Sequence, residues 1–126
     1  MPKNPIQFSE SMNCPSKPPP QERPLISLEQ ATELESLFKV LSNSTRLRML
    51  HALVRESGLS VTQLSETVDM KQQAVSNQLR RLADRGLLAS KRNGNNVHYR
   101  IVDPCVINLL DRGLCLVEDV NEREKS

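Results

Sequence analysis

Two sets of side chains in this sequence have recognition chemistry. The first lies in the run 71–85, which ends at Gly86: Lys71, Gln72, Gln73, Ser76, Asn77, Gln78, Arg80 and Arg81. Carboxamides can pair bidentately with adenine N6 and N7, hydroxyls donate or accept, and guanidinium or ammonium groups suit guanine or phosphate. Val75, Leu79 and Leu82 recur at helical spacing and form the inward stripe, which leaves the polar set outside. Gln72, Gln73 and Ser76 share a face at the helix start and are expected to read base edges, with Lys71 and Asn77 completing that surface. Arg80 and Arg81 are expected to clamp phosphates. Lys91 and Arg92 continue the basic strip on a hairpin that would track the backbone or minor groove.

The second set is built on cysteine. Cys105 and Cys115 share one helical stretch, and ten residues of helix rise by ~15 Å, so the two thiols cannot ligate one ion within one straight helix. Two such helices crossing antiparallel in a dimer bring Cys105 of one protomer near Cys115 of its partner, and symmetry makes two such sites. Cys115, Glu118 and Asp119 fall on one helix face, and Asp103 lies near Cys105, so carboxylates stand beside both thiols. Thiolates with carboxylates suit a thiophilic divalent ion such as Zn²⁺, Cd²⁺ or Hg²⁺. Cys14, near the N-terminus, is a further candidate ligand. The plainer alternatives are two small buried apolar cysteines with Asp103 as nothing but a helix cap, or a thiol pair joined between protomers as a redox sensor.

The elements that must position these groups are legible in turn. Ser27 caps a helix over about 28–41 with Leu34, Leu37, Phe38 and Leu41 on one face, and Ser42-Asn43-Ser44 breaks it. A second helix over about 45–56 carries Leu47, Leu50, Leu53 and Val54; His51 beside that stripe is expected to pack and hydrogen-bond locally. Ser60-Val-Thr-Gln63 is a capping-box start for a third helix, buried through Leu64 and Val68. After the fourth helix, 87–92 and 97–101 read as strands around the turn Asn93-Gly94-Asn95-Asn96, with His98 facing solvent or phosphate. Asp103-Pro104 opens the last helix. Its apolar residues wrap most of the circumference, so it needs a neighbour beyond its own chain, and Gly113 fits a close helix–helix approach. The expected domains are a disordered proline-rich arm over 1–26, a folded unit over 27–118 and a frayed charged tail over 119–126.

Composition narrows the function. The 126 residues carry a net charge of only +2, yet 68–101 holds seven cations against two anions, whereas 102–126 holds three cations against six anions. Basicity is thus concentrated where phosphate contact would use it. No apolar run approaches the ~20 residues of a membrane span, no secretory signal is recognisable, and three scattered cysteines make no disulfide framework. The expected setting is cytoplasmic, without a membrane partner. No acidic pair, nucleophile–His–acid set or phosphate loop is present, so no enzyme is expected.

Phe38-Lys-Val-Leu-Ser-Asn-Ser-Thr-Arg-Leu-Arg-Met-Leu50, Ala74-Val-Ser-Asn-Gln-Leu-Arg-Arg-Leu82, Gly86-Leu87 and Asn93-Gly94-Asn-Asn-Val-His-Tyr-Arg100 together resemble the ArsR/SmtB family of bacterial metal-responsive repressors, over about residues 28 to 118. The resemblance implies a mainly α winged helix-turn-helix protein with a small β-hairpin, homodimeric through its first and last helices. It implies binding to double-stranded operator DNA and release by a metal ion or other inducer. The family's cysteine site at the start of the third helix is replaced here by Ser60-Val61-Thr62, and the recognition helix has no cysteine. The family's site across the terminal helices has an Asp-x-His near the helix start; here Asp103-Pro104-Cys105 carries Cys in place of His, and the downstream His position falls near Leu116, with Cys115 beside it and Glu118 or Asp119 as the acid. That implies a terminal-helix site with thiolate character and not a four-ligand zinc site. Redox-sensing relatives pair cysteines of the second and last helices, and His51 stands near the first of those places. The expected function is a repressor released by a thiophilic ion at the cysteines of the last helix; the alternatives are a redox-sensing repressor of the same fold and a winged-helix interaction module without DNA function.

Overall fold

The computed structural model describes residues 17–125. Three of its helices start where a short polar side chain accepts from a backbone amide three residues on. Helix α1 (Leu28–Leu41) is capped by Ser27, whose Oγ accepts from Gln30 N at 3.1 Å while Gln30 Oε1 accepts from Ser27 N at 2.9 Å. Helix α2 (Ser44–Arg55) is capped by Asn43. Strand β1 (Leu59–Ser60) leads into α3 (Val61–Val68), where Ser60 and Gln63 form the reciprocal capping box. Such caps supply partners for amides that the helix itself leaves orphaned.

Asp69, in the left-handed region at φ 58°, turns the chain from α3 into α4 (Gln72–Asp84). Gly86 ends α4 at φ +80°, with Gly86 N donating to Ala83 O and Leu87 N to Leu82 O. This is a Schellman close, whose left-handed φ favours glycine at that point. Strands β2 (Leu88–Asn93) and β3 (Asn96–Ile101) then pair antiparallel with Asn93 opposite Asn96, and Gly94 at φ +66° takes the first place in the two-residue turn.

The sheet is three-stranded, in the order β1-β3-β2. β1 is too short to show alternation in the sequence; it exists because Leu59 pairs with Tyr99, Ser60 pairs with His98, and Gly58 N reaches Tyr99 O. Leu64, Val75, Leu79 and Leu82 are wholly buried together with Met49, Leu50 and Ile101. Met49 belongs to this core while Leu47, expected on the inward stripe of α2, is half-exposed. The face of α2 that packs is rotated from the one its leucines suggest, because α3 and β3 both approach α2.

Helix α5 (Pro104–Lys125) runs 22 residues. Its charged end, expected to be unpacked and frayed, is exposed, but the helix continues to Lys125. Near the N-terminus, the described part of the proline-rich segment is exposed and includes a 3-10 turn, Pro20–Glu22, which proline's fixed φ accommodates. No helix among the described residues is long and apolar enough to cross a membrane.

Candidate nucleic-acid interface and thiol helix

Because α4 buries Val75, Leu79 and Leu82, its opposite side presents Lys71, Gln72, Gln73, Asn77, Arg80 and Arg81 to solvent, with Ser76 half-buried between them. Two i, i+4 hydrogen bonds order this surface. Gln73 Nε2 donates to Asn77 Oδ1 at 3.3 Å, and Arg80 Nη2 donates to Ser76 Oγ at 3.2 Å. Gln78 differs from the expectation that its amide is available. It is half-buried, and its Oε1 accepts from Arg46 Nε at 2.6 Å.

The turn of the hairpin stands beside the start of α4. Thr62, Gln72, Gln73, Ser76, Asn95 and Asn96 line a cleft of about 280 Å³ together with Val61 and Val97. The amide-and-hydroxyl surface therefore extends onto Thr62, Asn95 and Asn96. In the sequence Asn95 and Asn96 read only as turn formers, and the nearness of Thr62 depends on how α3 and the hairpin pack. Lys91 and Arg92 are exposed on β2, and as strand neighbours they point to opposite faces. His98, expected toward solvent or phosphate, instead donates through Nδ1 to Gly58 O at 2.8 Å and ties β3 to the loop before β1.

Cys105 and Cys115 both lie on α5. Asp103 Oδ1 accepts from Cys105 N at 2.9 Å and so acts at the start of α5 as a cap, with its second carboxylate oxygen left over. Cys105 is not a free thiol; its sulfur is disulfide-bonded. Cys115 is free and exposed, and its Sγ lies 3.8 Å from Asp119 Oδ2, as the helical spacing implies, with Glu118 exposed beside it. Cys14 lies outside the described residues. Among the described residues no three or more His, Cys, Asp or Glu side chains gather closely enough to hold a metal ion. One chain therefore does not bring the expected Cys105, Cys115, Asp103, Glu118 and Asp119 donors to a single point.

Between α5 and the α1–α2 pair runs an apolar groove of about 490 Å³, whose walls include Phe38, Leu47, His51, Leu110, Leu114 and Val117. His51, expected to be packed, is exposed at this groove. Gly113 also faces it, and a Cβ added there would meet nothing within 4 Å. The close approach expected at that glycine is not made within one chain.

Residues 41–91 match the family model of a helix-turn-helix domain. The chain is 38% identical over 85 residues to a transcriptional repressor SmtB homolog of Synechocystis, covering 68% of this chain and 64% of that protein's length. It is 35% identical over 105 residues to the HTH-type transcriptional regulator NmtR of Mycobacterium tuberculosis, covering 83% and 81% of the two chains. Among solved structures it is similar to the antimony-specific transcriptional repressor AntR, at 58% identity and TM-score 0.74, covering 87% of this chain and 99% of that one. These relatives regulate transcription and are not enzymes. Their lengthwise match and the helix, turn, helix and hairpin described above place this chain in the ArsR/SmtB family of metal-responsive winged helix-turn-helix transcriptional repressors.

Proposed function

We propose that the protein is a homodimeric repressor that holds operator DNA through α4 and the hairpin, and releases it when a thiophilic ion binds thiolates of α5. Trivalent antimony is the foremost inducer in this reading, ahead of the divalent ions Zn²⁺, Cd²⁺ and Hg²⁺. The observation that carries it is the 58% identity to an antimony-specific repressor across 99% of that chain. Gln72, Gln73 and Ser76 read base edges, Lys71 and Asn77 flank them, and Arg80, Arg81, Lys91 and Arg92 neutralise phosphates.

The donor set fits a soft ion. Cys105 and Cys115 supply sulfur, and Asp103, Glu118 and Asp119 supply carboxylates, with Cys14 as a further thiol. One chain keeps Cys105 and Cys115 roughly 15 Å apart along α5, so two protomers complete the set. Ligation at that junction changes how the two α5 helices meet and thereby the spacing of the two recognition helices. A coupling of about 1–3 kcal/mol shifts operator affinity some 5- to 150-fold. The test is titration of the reduced protein with antimonite, Cd²⁺, Zn²⁺ or Hg²⁺ while following thiolate absorbance and operator release. Cys105→Ser and Cys115→Ser are expected to bind operator and to lose release; release retained in both variants overturns the assignment.

The disulfide at Cys105 favours a second reading in which oxidation, and not an ion, frees the operator. Peroxide-driven release without any added ion, reversed by a dithiol, distinguishes it.

A further inference from the structure

Three helices meet at one guanidinium. Arg46 lies in the first turn of α2, where its backbone N–H is held by Asn43 Oδ1 at 3.0 Å. Its Nη1 donates to Val40 O at 2.8 Å, one of the last-turn carbonyls of α1 that helix geometry leaves without an amide partner. Its Nε donates to Gln78 Oε1 at 2.6 Å, across 32 residues of sequence. Both bonds are charge-assisted, the stronger kind. Arginine is suited to this junction because its fork is planar and offers donors in fixed directions; a lysine is a point charge on a flexible stem.

We propose that Arg46 is a positioning residue for DNA reading. By engaging the carbonyl oxygen of Gln78 and Val40 O together, it sets α4 against the end of α1. The outward side chains of α4 then meet DNA at an angle that this junction fixes, so sequence discrimination depends on a bond made away from the reading face. The same fork gives a displacement of α1 a direct path to the recognition helix. The role is not visible from the outward-facing residues of α4, since it depends on a side chain of another helix.

The proposal rests on α4 being the operator-reading helix, and the test separates the two. Affinities of wild type, Arg46→Lys, Gln78→Leu and the double variant are measured for an operator and a random duplex of equal length, across a range of salt. Arg46→Lys keeps the charge and loses the fork. Each single variant is expected to lose about tenfold on the operator and to leave random-duplex affinity and the salt slope unchanged. The double variant is expected to be no weaker than either single one. Additive losses, or equal losses on both duplexes, overturn the proposal. If Arg46→Lys fails to fold, Gln78→Leu still decides, because it leaves the Arg46–Val40 bond intact; unchanged discrimination in that variant overturns the proposal on its own. Wild-type protein that holds both duplexes equally overturns the operator-reading function itself, and this inference with it.

Discussion

The half of this molecule proposed to read DNA and the half that carries α5 are finished to different degrees. In the first, α3, α4 and the hairpin bury their apolar sides inside the chain, with Leu64, Val75, Leu79 and Leu82 all at 0% exposure. In the second, α1 and α5 leave Phe38, Leu114, Leu116 and Val117 between 48% and 60% exposed. Apolar surface left in water forgoes about 25 cal/mol per Å², so such a face stabilises whatever covers it. The contrast teaches where regulation can act. The face proposed to read DNA is backed by a core closed within one copy, while Cys105 and Cys115 sit on α5, which leaves apolar surface open.

Four substitutions break or sharpen that contrast. Leu79→Ala, in the closed half, is expected to lower unfolding free energy by about 2–5 kcal/mol in chemical denaturation, because the packed site cannot collapse around the lost atoms. Leu114→Glu, in the open half, is expected to leave the far-UV helix signal in place while weakening self-association by roughly 2 kcal/mol or more in sedimentation. If Leu114→Glu instead unfolds the chain at any concentration, the two halves are not separable as described. Ser60→Ala removes the cap of α3, and a loss of about 1 kcal/mol is expected in the same denaturation assay. Gly113→Ala is the finest probe. Placed on the Leu114→Glu background it is expected to gain up to about 1 kcal/mol, as helix propensity dictates, and to gain less or to lose where the dimer forms. Equal gains in both backgrounds would show that no helix from a partner approaches that glycine.

Legibility followed the range of the interactions involved. Ser27, Asn43 and Ser60 act on amides three residues away, and all three caps lie where the helix breaks are read from sequence. Gly86 and Gly94 likewise announce a helix end and a hairpin turn, since both positions need a positive φ. Strand β1 was not legible, because two residues carry no period and its existence is decided by Tyr99 and His98, about forty residues on. His98 and Gln78 likewise take partners that lie far off in the chain. Each looks like a free polar group along the chain, and each is bonded to a residue from a different element.

Of the candidate sites, the outward face of α4 is a property of the sequence alone. A 3.6-residue period separates Val75, Leu79 and Leu82 from the amides and cations, whatever else the chain does. The cleft that adds Thr62, Asn95 and Asn96, the guanidinium that joins α1 to α4, and the apolar groove beside α5 were decided by tertiary structure. Periodicity and capping act within a turn or two of the backbone and are written locally. Which surfaces then meet depends on the simultaneous packing of residues far apart in the chain, and no local pattern encodes that.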